Sequence, residues 1–166
     1  MQNPPSQYHW WNGRRGEWYV AGQGMLILLV IFGPRSLQGL PLWTGLIAKA
    51  AIIIGIIFIP AGTILVIWGM RALGNSLSAL PFPKDEGVFV ESGPYRVVRH
   101  PIYSGLTVAS FGVALLVHGW LTACFALLLF ILLDIKSRRE EQWLIDKYQG
   151  YADYRKRVKK LIPFIY

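Results

Sequence analysis

The chain has 166 residues, of which 54% are hydrophobic and 16% are charged, and its mean hydropathy is +0.39. This composition excludes a disordered chain and does not describe an ordinary soluble domain. The formal net charge is +8. Because the basic residues stand beside apolar stretches, we attribute the charge to anionic lipid head groups rather than to nucleic acid. The single cysteine, Cys124, excludes a disulfide within the chain and is interpreted as a packing residue.

Three stretches contain no Asp, Glu, Lys or Arg, namely 18–32, 50–70 and 101–133. A helix needs about 20 apolar residues to cross a bilayer core, so all three are candidate spans. The first is interpreted as a retained helix and not as a signal peptide, because no small-residue cleavage site follows it. Trp10, Trp11, Trp18 and Tyr19 supply the aromatic belt that is expected where a helix enters the head-group layer.

The second stretch predicts one long, bent helix from about Leu46 to Met70, since Pro60 often only kinks a membrane helix. The third, 101–133, would measure roughly 50 Å as a single helix, which is longer than the ~30 Å hydrocarbon core. It therefore predicts a hairpin of two short helices, of roughly 17 and 15 residues, that turns at 118–120. The chain is thus predicted to be an all-α integral membrane protein with about four transmembrane helices.

The distribution of Lys and Arg predicts the orientation of these helices. Two lie in 1–17, two in 34–49, four in 71–100 and nine in 134–166. By the positive-inside rule, both termini and the 71–100 loop face the cytoplasm. We divide the chain into an N-terminal membrane region with two spans, 1–70, and a C-terminal region, 71–166, which we expect to fold as one unit.

Ionisable residues cluster at both ends of the predicted hairpin. Arg99 and His100 precede it, where such groups are costly unless they have a partner or a ligand, although they also suit an interfacial anchor and cap. Lys136, Glu140 and Glu141 follow the hairpin. Lys136 and Glu140 share a helix face, whereas adjacent glutamates point about 100° apart, so one carboxylate is expected to face inward. The alternative is a solvated helix start with weak surface ion pairs.

Apolar and aromatic residues continue after this cluster at spacings of three and four, and they alternate with Lys and Arg. They are Trp143, Leu144, Tyr148, Tyr151, Tyr154, Val158 and Leu161. The pattern predicts an amphipathic basic helix on or against the membrane surface. Such a helix can also roof over a cavity at the base of the hairpin.

Four motifs between residues 70 and 166 carry a family resemblance. They are Gly93-Pro94-Tyr95, Arg99-His100-Pro101-x-Tyr103-x-Gly105, Glu140-Glu141 and Tyr151-x-x-Tyr154-x-x-Arg157. In combination they resemble the isoprenylcysteine carboxyl methyltransferase family and the related phospholipid N-methyltransferases. The resemblance implies an integral-membrane methyltransferase that uses S-adenosyl-L-methionine. It implies no Rossmann-type domain, and no G-x-G-x-x-G opens a βαβ unit here.

The resemblance also implies roles for individual residues. The cofactor-binding positions are Gly87, Val88, Phe89, Val90, Tyr95, His100, Pro101, Ile102, Tyr103 and Glu140. Lys136 stands where eukaryotic members assign an arginine to the substrate, and it keeps the charge without the bidentate fork. Glu140, Glu141 and Arg99 are the candidate catalytic residues. A carboxylate acceptor needs no base, whereas an ammonium acceptor would give its proton to Glu141 or His100.

The predicted function is therefore methyl transfer to a lipophilic acceptor at the cytoplasmic membrane face, the acceptor being a prenylcysteine-like carboxylate or a lipid amine. The main alternative is an NADPH-dependent membrane reductase of related architecture, which would want more basic residues around 84–99. A scaffold or small transporter would carry ionisable residues within its spans. We expect neither a nucleic-acid partner nor a metal site, since the predicted topology puts His118, a turn residue, on the far side from His100.

Overall fold

The computed structural model describes residues 15–166, and these residues form helices and loops without a β-strand. The α-helices in this range are α1 (Glu17–Phe32), α2 (Gly45–Leu73), α3 (Pro101–Leu116), α4 (Trp120–Lys147) and α5 (Tyr151–Arg157). Short 3-10 turns lie at Gly74–Ser76 and Gly93–Arg96. The all-helical class that the sequence predicted is confirmed. The expectations on Trp10 and Trp11 fall outside the described residues.

The closest helix packing joins α2 to α3. Gly55, Gly62 and Gly69 recur every seven residues and are buried. A Cβ atom on Gly62 would lie 2.5 Å from the carbonyl oxygen of Gly105, and one on Gly55 would lie 2.8 Å from that of Gly112. The two backbones are therefore in contact. Small residues allow this approach in lipid, where burying apolar side chains between helices gives little driving force. We call this contact the glycine seam.

The outer faces of the helices are apolar and exposed. Ile53 and Ile56 of α2 are 60% and 59% exposed, and Leu127 and Leu128 of α4 are half exposed. A surface of this kind marks contact with a membrane or a partner and is not typical of a soluble monomer. With 29 and 28 residues, α2 and α4 are long and apolar enough to cross a membrane. The other two apolar helices, α1 and α3, have 16 residues each.

The predicted hairpin is present, but its second helix is longer than expected. His118 has a φ of 51° in the turn between α3 and α4, as predicted. Its ring Nε2 lies 3.1 Å from the carbonyl oxygen of Ala48. Instead of ending where the apolar run ends, α4 continues through the charged cluster to Lys147, so its whole length is 28 residues. The reason is that Lys, Arg and Glu are good helix formers, so a change of polarity does not end the helix.

The predicted amphipathic helix over 143–161 is wrong in extent, because the structure divides this range between the end of α4 and α5. Gly150 has a φ of 90°, a left-handed conformation that interrupts the helix after α4, and α5 has only seven residues. Tyr151 and Tyr154 are 3% and 2% exposed, so they pack against the protein, which agrees with the expected roof over a cavity. Cys124 also differs from expectation, because it is exposed on α4.

Candidate functional site

A cavity of about 430 Å³ lies where the first turns of α1 and α3 meet the last turns of α2 and α4. Its volume falls within the roughly 300–1,000 Å³ of small-molecule sites. Most of the residues that the sequence predicted for the site line this cavity: Gly87, Val88, Phe89, Val90, Tyr95, Arg99, His100, Ile102, Tyr103, Lys136 and Glu140. Pro101 and Glu141 do not line it. Pro101 instead occupies the first turn of α3 and is buried.

Glu140 is the carboxylate that faces the cavity. The Tyr103 hydroxyl donates a hydrogen bond of 2.6 Å to its Oε2 atom, and Nδ1 of His100 lies 4.0 Å from the same oxygen. The rings of His100 and Tyr103 are stacked, with centroids 5.2 Å apart and planes 3° from parallel. Because Tyr103 and His100 are one helical turn or less from the start of α3, that helix end orients the carboxylate.

Glu141 points away from the cavity into a set of cations. It is 2% exposed, and its Oε1 accepts a bond of 2.8 Å from Nε of Arg99 and lies 3.2 Å from Nε2 of His100. Its Oε2 lies 3.1 Å from Nε of Arg155. Both carboxylate oxygens are therefore engaged. The structure gives the two adjacent glutamates different surroundings, Glu140 at the cavity and Glu141 in an ion-pair cluster.

The end of the chain is fastened to the same helix start. Arg99 Nη1 donates to the carbonyl oxygens of Arg155, at 2.8 Å, and of Val158. The backbone nitrogens of Arg99 and His100 donate to the carbonyls of Lys159 and Lys160, at 2.8 and 3.1 Å. These bonds hold the 158–161 segment alongside 98–100.

A second cluster of ion pairs and hydrogen bonds also holds the C-terminal segment in place. Lys160 Nζ donates to Asp134 Oδ1, and the Tyr166 hydroxyl donates to the same oxygen at 2.9 Å. Arg138 Nε donates to Asp134 Oδ2 at 2.9 Å. We call Arg99, Glu141, Asp134 and Lys160 together the C-terminal clamp.

Four aromatic rings close the cavity beneath α5. The ring of Phe89 lies 5.7, 5.4 and 5.3 Å from those of Tyr148, Tyr151 and Tyr154. The Tyr148 hydroxyl donates to the Gly87 carbonyl at 2.7 Å. Burial raises the pKa of the Tyr151 and Tyr154 phenols above the ordinary value for tyrosine, because it disfavours the phenolate. The cluster holds the 87–90 segment against the cavity.

Several cavity residues were missed by the sequence analysis. Tyr148, Tyr151 and Tyr154 line the cavity, as expected for a helix that roofs it, but they were not named among the cofactor-binding positions. Their spacing of three residues signals one shared face. Gln23 also lines the cavity and was not predicted as a site residue. It is the single amide side chain in the apolar stretch 18–32, and a polar group in a span is itself a functional signal. Within the described range, no group of three His, Cys, Asp or Glu residues is placed to hold a metal ion.

Comparison with known proteins decides the family. A family model described as phospholipid methyltransferase matches residues 50–150, which is more than half of the chain and includes most of the cavity. The chain belongs to the phospholipid methyltransferase family. This family member is also 28% identical, over 155 residues, to the protein-S-isoprenylcysteine O-methyltransferase of Saccharomyces cerevisiae. That match covers 90% of this chain and 65% of the yeast protein. The resemblance carried by the motifs is confirmed, and neither comparison supports a reductase.

Proposed function

We propose that this methyltransferase-family protein uses S-adenosyl-L-methionine to methylate a lipophilic acceptor at the cytoplasmic face of a membrane. The observation that carries the proposal is the continuity of one cavity. It joins Glu140, His100 and the aromatic cluster to apolar side chains inside the helix bundle. A reaction between a polar cofactor and an apolar acceptor requires a polar site and an apolar site that lie next to each other.

The side chains at the polar end fit the proposed cofactor, which has a sulfonium cation, an amino acid zwitterion and an adenine ring. Glu140 supplies a carboxylate for a cationic group, and His100 supplies a ring nitrogen for the carboxylate end. Phe89 and its tyrosine neighbours supply apolar walls for a ring. When bound, the cofactor would supply the methyl group. The protein's own contribution is alignment and exclusion of water, and the cluster of Phe89 with its three tyrosine neighbours covers the cavity on one side.

The apolar end suits an acceptor that arrives from the bilayer. Leu106 lies five residues into α3, about 8 Å from its start, and Val66 and Val20 line the cavity at the facing parts of α2 and α1. Since α1 and α2 supply these residues, the N-terminal region completes the site of the C-terminal region. This arrangement supports the expectation that 1–70 and 71–166 fold as one unit.

We propose different roles for the three candidate catalytic residues, Glu140, Arg99 and Glu141. Glu140 lies at the cavity and is proposed to touch the cofactor, with Lys136 beside it for the acceptor. Arg99 and Glu141 bond each other and the 155–160 segment, so we propose that they position His100 and the cavity wall. A proton acceptor for an amine would then be His100, whose ring lines the cavity, and not Glu141.

The membrane arrangement is part of the proposal. Four crossings by α1, α2, α3 and α4 put the cavity and the basic 134–166 segment on one side and the 34–49 connection on the other. The positive-inside rule makes the first side cytoplasmic. At 16 residues, α1 and α3 are short for a crossing, which local thinning of the bilayer accommodates.

The test is isothermal titration of the detergent-purified protein with S-adenosylhomocysteine, the demethylated cofactor, and with NADPH as the competing ligand. Glu140→Gln removes the cavity carboxylate while keeping its size. Asp146→Asn is the matched control, because Asp146 is exposed on the same helix and does not line the cavity.

The proposal expects S-adenosylhomocysteine to bind to the unmodified protein and to Asp146→Asn, and to bind at least about tenfold more weakly to Glu140→Gln. NADPH is expected not to bind. Absence of S-adenosylhomocysteine binding, or equal losses in the two variants, would overturn the proposed site.

A further inference from the structure

The chain makes a closed turn after α5 that presents two apolar side chains to the outside. Ile162 and Tyr166 exchange both of their backbone hydrogen bonds, at 2.7 and 3.0 Å. Between them lie Pro163, Phe164 and Ile165, which we call the apolar tip. Phe164 is 90% exposed and Ile165 is 75% exposed. Phe164 also has a φ of 64°, a left-handed conformation that is rare for a bulky residue and occurs mainly in strained turns and functional segments.

Polar contacts of Tyr166 hold this turn against α4. Its hydroxyl oxygen accepts a bond of 2.9 Å from Nζ of Lys160 and one of 3.3 Å from Nη2 of Arg138. The same hydroxyl donates to Oδ1 of Asp134 at 2.9 Å. The ammonium group of Lys160 also lies 4.5 Å from the centroid of the Tyr166 ring. The exposure of the apolar tip therefore belongs to a conformation that backbone and side-chain bonds both fix.

The contacts with α4 also give the position of the apolar tip along that helix. Ile131, Ile135 and Arg138 follow one another at spacings of four and three residues, so they share one face of α4. All three side chains are exposed. This face changes from apolar to basic within the turn at which Tyr166 is bonded. In a membrane helix such a change marks the boundary between the acyl chains and the head groups.

The surroundings of the apolar tip are positively charged. Lys159 is exposed, and its side chain has no hydrogen bond or ion pair within residues 15–166. The guanidinium of Arg138 is also exposed. Exposed apolar side chains beside cations bind a bilayer with anionic lipid, because the cations attract the head groups while the apolar atoms leave water. A second copy of this chain would bring the same positive charges to a symmetric contact, which disfavours it.

We propose that the apolar tip is a membrane anchor, which inserts Phe164 and Ile165 at the acyl-chain boundary of a bilayer that contains anionic lipid. The anchor adds a membrane contact to the four proposed crossings. The segment that carries it, 158–161, bonds to Arg99 and His100, so the anchor also attaches the C-terminal clamp to the bilayer. The inference rests on the membrane arrangement proposed above and not on methyl transfer.

The experiment places an environment-sensitive nitrobenzoxadiazole label on the apolar tip. Phe164→Cys is made in the full-length Cys124→Ser protein, labelled through a maleimide and reconstituted in vesicles of phosphatidylcholine and phosphatidylglycerol. Some vesicles carry a lipid nitroxide near the head of the acyl chain, and others carry it near the end of the chain. Asp153→Cys is the matched control, because its side chain is 74% exposed on α5 and lies outside the apolar tip. The measurement needs neither cofactor nor acceptor.

We expect the label in Phe164→Cys to emit at a shorter wavelength than the label in Asp153→Cys. The nitroxide near the head of the chain should quench it severalfold more strongly than the control. The nitroxide near the end of the chain should quench it less, since the boundary lies far from the bilayer centre. Equal quenching of the two labels overturns the inference. Short-wavelength emission without quenching by either lipid also overturns it, because another protein surface then covers the tip.

A second variant tests whether the apolar tip itself, and not the attached label, enters the bilayer. Ile165→Asp, added to labelled Phe164→Cys, puts a charge on the tip that is costly to bury in the acyl chains. We expect it to lower the quenching severalfold and to shift the emission to longer wavelength. Unchanged quenching in this variant would assign the insertion to the label and would refute the anchor.

Discussion

The glycine seam and the C-terminal clamp hold adjacent residues of α3 by opposite means. Gly105 belongs to the seam, where its backbone contacts α2 with no side chain between them. Ser104 lies on the side of the clamp, and its hydroxyl donates to the Leu161 carbonyl at 2.6 Å. The seam works by close fit among small residues, whereas the clamp works by hydrogen bonds and ion pairs.

The two kinds of contact respond differently to change. A close backbone contact admits no added atom, so damage to the seam separates two helices along their length. The C-terminal clamp contains several ion pairs, so one substitution leaves other pairs in place. Because the clamp bonds directly to Arg99 and His100, damage there also displaces the cavity wall. We therefore expect damage to the seam to lower the recovery of folded protein, and damage to the clamp to affect both stability and the cavity.

The largest effect is expected for Gly62→Leu in the seam. Its Cβ would meet Gly105 O at 2.5 Å and Ala109 N at 2.6 Å, and neither backbone atom can move away alone. We expect a loss of roughly 3 kcal/mol or more of stability, with little folded protein recovered. Size-exclusion chromatography of the solubilised protein measures this. Gly24→Leu, where the added side chain meets open space, should give a normal profile. Equal recovery of the two variants would contradict the seam.

Glu141→Gln tests the clamp. Removing the charge leaves Arg99 in a site where it is 10% exposed, and breaking a buried pair costs about 3 kcal/mol. We expect a lower melting temperature together with weaker S-adenosylhomocysteine binding. Glu91→Gln is the matched control, because its pair with Arg157 is exposed, and it should cost roughly 0.2–1 kcal/mol. If both variants melt at the same temperature, the clamp does not stabilise the protein.

Tyr103→Phe tests the cavity without altering the residues of the C-terminal clamp. The change removes the hydroxyl that bonds Glu140 and keeps the ring that stacks on His100. We expect S-adenosylhomocysteine to bind about tenfold more weakly, with little change in melting temperature. Titration calorimetry and a thermal melt give the two values. Tyr19→Phe, outside the cavity, should change neither, and a fall in stability without a fall in affinity would make Tyr103 a purely structural residue.

The smallest effect is expected on the outer face, which belongs to neither region. Cys124→Ser alters an exposed side chain of α4 and should leave stability and binding unchanged. The resulting cysteine-free protein allows a topology test with Ser36→Cys and Asp153→Cys, both at exposed positions. In intact cells an impermeant maleimide should label the first and not the second. Labelling of both without permeabilisation would contradict the proposed four crossings.

Local features of the sequence predicted much of the fold. The apolar stretches gave the positions of α1, α2 and the hairpin, and His118 stands in the predicted turn. The end of α4 was misjudged because hydropathy reports the change from lipid to water, not the end of hydrogen bonding in a helix. The amphipathic pattern indicated that the tyrosines of α5 share a face, but it left open whether the membrane or the protein covers that face.

Composition, charge, the lengths of the apolar stretches and residue spacing by themselves determined that this protein is apolar, basic and helical, because those properties depend on each residue and its near neighbours. The motifs indicated the family for the same reason, since each motif consists of residues that are close together in the sequence. Only the tertiary structure decided that Glu140 faces the cavity and Glu141 does not, because adjacent residues on a helix diverge by about 100° and their surroundings come from other elements. The contact between Gln23 and Lys136 joins residues 113 positions apart. No local pattern can report it, because it exists only once α1 and α4 have packed together.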